Sequence, residues 1–399
     1  MTFQVKWFSS SMQGATLLSS GNARAAHTVT QGSLIALLKA CLVTGFGSMS
    51  ASSAVYNSAT STITFTTASA HAYQKWQIIE SSGWNEAAFN GEFRVMSVTS
   101  TTVTVGLDNG TPTVTSATGS GTVKIPGLGW SVAFEDAGTY RCIFKRTDSS
   151  ANDYMLYVDN SAWSGWNNNK GHLAKVQVVS GVTDISTFTV VSDQRWPCSH
   201  NYATPDWLLI GDSKYFVFLP KFAAAGALEF DSFGDFVSLR AGDKHNTIFS
   251  FHCSATTESL NWSDSWQSPY NNAALINESS HRQIMRGVHQ QPGVVAAKIV
   301  ADHPGGILGA GLPLTSSPVN LADSGFYSAK NLKIFDDLCW RGVMPGLVAP
   351  YSSPSAFDKS VVQSVNGDLT LYALVARQVS GSSSQASVLL GFDIKEPWR

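Results

Sequence analysis

Asn90-Gly91-Glu92-Phe93-Arg94-Val95-Met96-Ser97-Val98, then Thr102-Val103-Thr104-Val105, then Asp108-Asn109-Gly110, is the stretch that decides the fold class. Apolar and polar residues alternate through both runs, which is the period of a strand with one buried face. The Asn-Gly steps beside them supply residues that tolerate the positive φ of tight hairpin turns. The same alternation appears upstream in Ser61-Thr62-Ile63-Thr64-Phe65-Thr66. Residues 48–124 are rich in Ser and Thr, a bias that fits β-branched strands joined by small polar turns. They read as a small β module of about five or six short strands, a sandwich or a barrel, inserted between segments of different character.

Before the module, Leu34, Leu37, Leu38, Cys41 and Leu42 fall on one stripe of a helix. Thr30 or Ser33 is placed to cap its start, and Gly45 to end it in a left-handed turn. Residues 1–47 therefore form an N-terminal arm and helix that pack with the following core. Within the arm, Phe3, Val5, Trp7 and Phe8 make a strand-like segment. It is suited to adding onto a sheet edge of its own or a neighbouring chain as an assembly arm, and equally to serving as the first core strand.

After the module, aromatic residues return. Trp130, Val132 and Phe134 alternate, then Tyr140, Cys142 and Phe144, then Tyr154, Leu156 and Val158. Strand-like runs follow at Leu208–Ile210, Tyr215–Phe218, Phe236–Leu239 and Thr247–Phe251. Gly211-Asp212, Gly234-Asp235, Gly242-Asp243 and Gly367-Asp368 read as turns, because Gly takes positive φ and Asp bonds its own backbone. Residues 125–253 form an aromatic-rich β domain, and 254–399 a loop-rich β region that completes its core. The polar stretch 254–318 has few apolar positions and is expected to contact a partner surface. Strand character resumes at Leu369–Val375 and Val388–Ile394. The fold class is mainly β, with several antiparallel sandwich- or barrel-like domains and one short N-terminal helix.

Composition narrows the function. Charged residues make up 14% and hydrophobic residues 43%, with 12 Trp, 21 Phe and 11 Tyr. That balance supplies ample core and excludes disorder. The formal net charge is −2 and Lys and Arg form no run, which argues against binding nucleic acid through its phosphates. The longest apolar stretch, Leu34–Val43, is too short to span a bilayer. The beginning of the sequence lacks the pattern of a secretory leader, so folding in a cytosol is expected. Cys41, Cys142, Cys198, Cys253 and Cys339 are odd in number and scattered, so reduced thiols are expected.

Chemical motifs are sparse. Asp136-Ala137-Gly138-Thr139-Tyr140-Arg141-Cys142 copies the tyrosine corner of immunoglobulin domains, but the upstream Cys and its Trp are missing. Cys198, His200, His252 and Cys253 do not follow zinc-site spacings, and no metal or cofactor is expected. His172, His245, His281, His289 and His303 form no metal-ligand motif. Neither a nucleophile elbow nor a P-loop is present, and no catalytic residue is assigned. Glu229, Asp231 and Asp235 are the nearest thing to the paired carboxylates of a glycosidase. Trp163, Trp166, Asn167 and Asn168, with Asn169, make the best patch for a glycan or a partner, the alternative being a hairpin tip that packs its own Trp side chains. The sequons at Asn109, Asn261 and Asn277 carry no weight without a secretory route.

The whole chain resembles a family of virion structural proteins of tailed bacteriophages. The resemblance rests on Gly32–Gly47, Asn90–Val95, Trp207–Asp212, Phe233–Phe236, Met344–Leu347 and Asp393–Arg399. Around Asn160-Ser161-Ala162 the chain departs from the family's more charged strand. The resemblance implies a non-enzymatic place in the particle, as a tail, neck or capsid-surface component made in the host bacterial cytoplasm. It implies docking on other virion proteins in symmetric copies, as a homo-oligomer that links or decorates its neighbours. A surface poor in charge suits such repeated contacts. The rival reading is a carbohydrate-binding adsorption protein of tail-fibre or spike type, with weak glycosidase activity and a host surface glycan as partner.

Overall fold

The computed structural model describes residues 4–15, 31–107, 110–161, 172–199, 206–221, 228–251, 253–254, 282–300, 328–330, 332–336, 339–350, 355–378, 385–395 and 397–399. Alternation of apolar residues gives strands almost throughout, and the paired strands are antiparallel. In chain order the first elements are β1 (Lys6–Ser9) and the helix α1 (Ser33–Lys39). Then come β2 (Phe46–Asn57), β3 (Thr62–Thr67), β4 (Ile78–Trp84), β5 (Gly91–Val98), β6 (Thr102–Gly106) and β7 (Gly119–Ile125). A meander follows in β8 (Ser131–Glu135), β9 (Arg141–Lys145), β10 (Met155–Asp159), β11 (His172–Asp184) and β12 (Thr187–Ser199). The chain continues through β13 (Trp207–Gly211), β14 (Tyr215–Pro220), β15 (Asp231–Asp235), β16 (Val237–Ser238), β17 (Thr247–Ser250) and β18 (Cys253–Ser254). It then forms β19 (Arg282–Ile284), β20 (Val295–Val300), β21 (Ser328–Ala329), β22 (Lys333–Asp336) and β23 (Cys339–Val343). The last strands are β24 (Leu347–Pro350), β25 (Ser360–Gln363), β26 (Leu369–Gln378) and β27 (Gln385–Asp393).

The Ser/Thr-rich segment closes on itself as a six-stranded barrel in the order β2-β3-β6-β5-β4-β7, and β7 pairs back with β2. Closure leaves no free edge. Its interior follows from the alternation, since Ile63, Phe65, Val95, Val103, Val105 and Val123 are fully buried. The rings of Phe65, Trp84 and Phe93 fill the lumen, with centroids 5.9 Å (Phe65–Phe93) and 6.4 Å (Phe65–Trp84) apart. Gly121 lies against the Trp84 ring, so that a Cβ there would stand 2.1 Å from an indole carbon. The glycine is what lets the indole enter the barrel.

The other three sheets share strands from distant parts of the chain. The meander and β18 form a six-stranded sheet in the order β18-β12-β11-β10-β9-β8. A ten-stranded sheet runs β1-β13-β14-β15-β17-β19-β20-β22-β23-β16, and a five-stranded sheet runs β21-β24-β27-β26-β25. In the ten-stranded sheet, Phe236 alone separates β15 in fourth place from β16 in tenth. The sheet therefore curls round until its last strand is the continuation of its fourth. Strands β15 to β23 make a ring whose inner face carries Phe236, Ile248, Ile284, Ala297, Ile299 and Ile334, all fully buried. Its outer face carries Phe233 and Phe249, which meet Trp130 and Trp196 beside the six-stranded sheet. These aromatic groups belong to one hydrophobic cluster that also reaches the barrel and the five-stranded sheet.

The N-terminal strand takes the disposition within its own chain. β1 pairs with β13 at the edge of the ten-stranded sheet, with Trp7 opposite Ile210. Val5, Trp7 and Phe8 are buried, and Phe3 lies outside the described residues. Lys6 Nζ donates to Glu92 Oε1 of the barrel at 2.6 Å and to the Gly127 carbonyl at 2.8 Å. This short strand thereby ties the barrel to the large sheet.

Two local expectations are corrected. The helix ends at Lys39 and continues as one π-helical turn, Ala40–Thr44, before Gly45 at φ 72°. The N-cap position is Gly32, which supplies no side chain, and Thr30 lies outside the described residues. Leu34 N donates to Asn160 Oδ1 at 3.0 Å instead. Gly234-Asp235 is a strand segment rather than a turn. Gly234, at φ 138°, lies so close to Lys214 that a Cβ would stand 2.0 Å from its carbonyl oxygen. Gly242 and Gly367 do take the positive φ of turns, and Asp212 Oδ1 accepts from Lys214 N and Tyr215 N at 2.8 Å each. Cys41, Cys142 and Cys339 are free thiols. Burial raises the first two, Cys142 to about 12.

Replacing Gly121 with Val should displace Trp84 and cost about 1–3 kcal/mol by overpacking. Urea unfolding of the full chain measures it, and unchanged stability would mean that the indole is not seated on that glycine.

Candidate functional site

The chemistry-bearing side chains gather where the six-stranded sheet meets the ring. Arg146, just past β9, is buried and bonds the Asp235 carboxylate of β15. Its second terminal nitrogen donates to Asn152 Oδ1 at 2.8 Å, to the Asn152 carbonyl at 3.0 Å and to the Tyr154 carbonyl at 2.5 Å. Asp235 Oδ2 accepts from Asn152 N at 3.2 Å, and Thr247 Oγ1 donates to Asp235 Oδ1 at 2.9 Å. The guanidinium also lies 5.1 Å from the centre of the Phe233 ring. Burial lowers the Arg146 pKa, and the adjacent Asp235 carboxylate opposes that shift. A buried charge pair of this kind is tolerable because its remaining hydrogen-bonding groups are largely met.

Four of the six sequence pieces that carry the phage resemblance, Trp207–Asp212, Phe233–Phe236, Met344–Leu347 and Asp393–Arg399, meet beside it, whereas Gly32–Gly47 and Asn90–Val95 lie in the helix and the barrel. Arg399 Nη1 donates to the Asp235 carbonyl at 2.7 Å, and its other nitrogens reach the Asp212 carboxylate at 3.2 Å and 3.3 Å. Trp398 covers Gly346, where a Cβ would collide with the indole, and lies 6.1 Å from the Tyr215 ring. Asp393 joins them, since Trp398 Nε1 donates to its carbonyl at 2.7 Å and its own N–H to the Gly346 carbonyl at 2.8 Å. The nearby cleft lined by Lys330, Gly346, Asp393 and Trp398 holds about 90 Å³. That is room for a few waters and well short of the ~300–1,000 Å³ of a small-molecule site.

A second, half-buried cluster lies beside the first. Tyr154 Oη and His245 Nδ1 are 2.8 Å apart, and Arg286 also reaches that hydroxyl. Asp243 is held by Arg341 at 2.5 Å, by Ser238 Oγ at 2.7 Å and by the His245 N–H at 2.9 Å. Burial raises the Asp243 pKa, but these donors outweigh it and hold the carboxyl below its ordinary value. Burial, and then the Arg286 charge, lower the His245 pKa.

The structure separates the residues singled out in the sequence. Trp163, Trp166, Asn167 and Asn168 lie outside the described residues, as do His200, His252, His281 and His303. Glu229, Asp231 and Asp235 are buried rather than lining a cleft, and Asp235 is committed to Arg146. Among the described residues, no group of three or more His, Cys, Asp and Glu is placed to hold a metal ion. No described helix is long and apolar enough to cross a membrane. Sequence reasoning missed Arg146, Asn152 and Arg341. Their signal was faint, being single charged or amide residues beside aromatic strands in a chain with few charges.

Asp235→Ala should leave the Arg146 charge buried and cost about 3–5 kcal/mol in denaturant unfolding. Adding Arg146→Met should recover part of that loss, whereas strict additivity would show that the pair is not coupled. His245 gives a pH signature. Because its folded pKa lies below the ordinary 6.5, the unfolded chain binds more protons just below that value. Its contribution is full above pH 6.5 and is lost as pH falls through the folded pKa. His245→Gln should flatten that part of the stability–pH profile, and an unchanged slope would remove His245 as its source.

Compared with known proteins, the chain matches no family model and no curated protein.

Proposed function

We propose that the chain is a non-enzymatic structural protein of a tailed-phage virion, docking on neighbouring tail, neck or capsid subunits and linking or decorating them in symmetric copies. The observation that carries this reading is how the inward-facing ionisable groups are used. Asp212, Asp235, Asp243, Arg146, Arg341 and Arg399 each bind across strands or sheets, fixing the shape of the molecule. The meeting of four of the six resemblance-bearing pieces at that hub supports it further, because a family sharing such pieces would share a framework rather than a reaction. The barrel offers a rigid, closed module with a Ser- and Thr-rich exterior, suited to repeated contacts of moderate strength.

The test is purification of particles from cells making a tagged full chain. The chain should co-purify with them at a fixed stoichiometry, in multiple copies at symmetric positions in an image of the particle. Trp163→Ala with Trp166→Ala should leave assembly and adsorption unchanged. Normal assembly with lost adsorption would replace this reading with the glycan-binding one, and a chain that never joins a particle would end it.

A further inference from the structure

The outer face of the ring has two sides. One is covered by the six-stranded sheet through Phe233 and Phe249. The other is built by β16, β20, β22 and β23, and here large apolar side chains stand in the open. Leu239 is 55% exposed, Trp340 43% and Val237 37%. Strand register shows that Val237 and Trp340 share a face, and Leu239 follows just past the end of β16, its N–H bonded to the Arg341 carbonyl. Val237 lies opposite Val343 and Val343 opposite Lys333, while Trp340 lies opposite Phe335 and Phe335 opposite Lys298. Residues directly opposite across antiparallel strands project from the same side. The Lys333 ammonium, 4.6 Å from the centre of the Trp340 ring, confirms it.

Among the described residues, the charge on this face is positive. Lys298 and Lys333 project from it, and Arg240 is exposed next to Leu239. Among the described residues, the carboxylates on or beside these strands turn the other way. Asp336 is buried and accepts from Val288 N, and Asp243 is held by Arg341. A chain whose formal net charge is −2 thus presents a positive, apolar surface centred on a tryptophan. Exposed Trp is the residue type most often found at the energetic centre of protein interfaces, and charge complementarity selects the partner.

We infer that Val237, Leu239, Trp340, Lys298 and Lys333 form the surface by which this chain docks on an acidic, apolar patch of a different protein subunit. The inference rests on the assembly role proposed above, which supplies the setting in which that subunit is met. Lys298 and Lys333 should react with an amine-specific reagent about tenfold more slowly in the assembled particle than in the isolated full chain. A zero-length carbodiimide should join them to Asp or Glu of another protein. Lys298→Glu with Lys333→Glu should lower the copies per particle about tenfold, and the Arg versions should restore them. Equal labelling of the two states in particles that contain the chain would overturn this surface while leaving the assembly role standing. Cross-links only to a second copy would overturn the partner assignment, and full incorporation of the Glu variant would overturn the role of the charges. Particles lacking the chain altogether would overturn both readings. Should the Glu variant lose its far-ultraviolet β spectrum, the labelling of the unaltered chain decides.

Discussion

The buried pair of Arg146 and Asp235 is the constraint on which the arrangement of sheets depends. Two charges leave water there, which costs several kcal/mol per ion unless their other hydrogen-bonding groups are met. Meeting them requires Asn152, Thr247 and the Tyr154 carbonyl at one place, from two sheets at once. Hydrophobic contact between the sheets tolerates sliding, whereas this set of directional bonds does not. The pair therefore fixes the register of the six-stranded sheet on the ring. Arg399 then uses the Asp235 carbonyl, so the same residue also locates the Trp398 side chain over Gly346 and the five-stranded sheet.

Much of the fold was legible because it is local. Residues 61–66 and 91–105 alternate cleanly, and β3, β5 and β6 appear where that alternation runs. Strands near 208–218, 247–251, 369–375 and 388–394 were readable for the same reason. What escaped was decided by distant partners. The α1 cap is Asn160, 126 residues beyond the N–H that it satisfies, and no local pattern marks it. Gly234-Asp235 has the composition of a turn. Only the close approach of Lys214 and the arrival of Arg146 show why a glycine and an acid stand inside a strand. The closing of the ring through Phe236 depends on β16 meeting β23, a contact more than a hundred residues long in sequence that periodicity does not encode.

The candidate functional residues were less legible than the fold, for a physical reason. Catalytic and metal sites announce themselves by fixed spacings, because a few ligands must converge on one atom. Framework ion pairs and docking faces have no such spacing. Trp340 looks in the sequence like any core aromatic of a β-strand, and only its exposure, together with the register of β22 and β23, sets it on the outer face of the ring. Lys298 and Lys333 join it through cross-strand pairing, not sequence proximity.

The docking face and the hub are mechanically joined, because both are sides of one closed ring. Behind Trp340 and Val237 lie Phe236, Ile334 and the Arg341 guanidinium, which sits 5.2 Å from the centre of the Phe236 ring. Arg341 bonds Ser238 Oγ at 2.8 Å and Asp243, so it fastens the short β16 to the loop before β17. Gly342 allows the Phe236 ring to approach, since a Cβ there would stand 2.6 Å from it. β16 has only two residues and few ladder bonds of its own. Its position is held by these side chains and by its covalent continuity with β15, where Asp235 meets Arg146. Binding energy at an interface is lost when the surface must be ordered on contact. A face whose weakest strand is pinned on one side by a buried arginine and on the other by the central ion pair has already lost that freedom in folding.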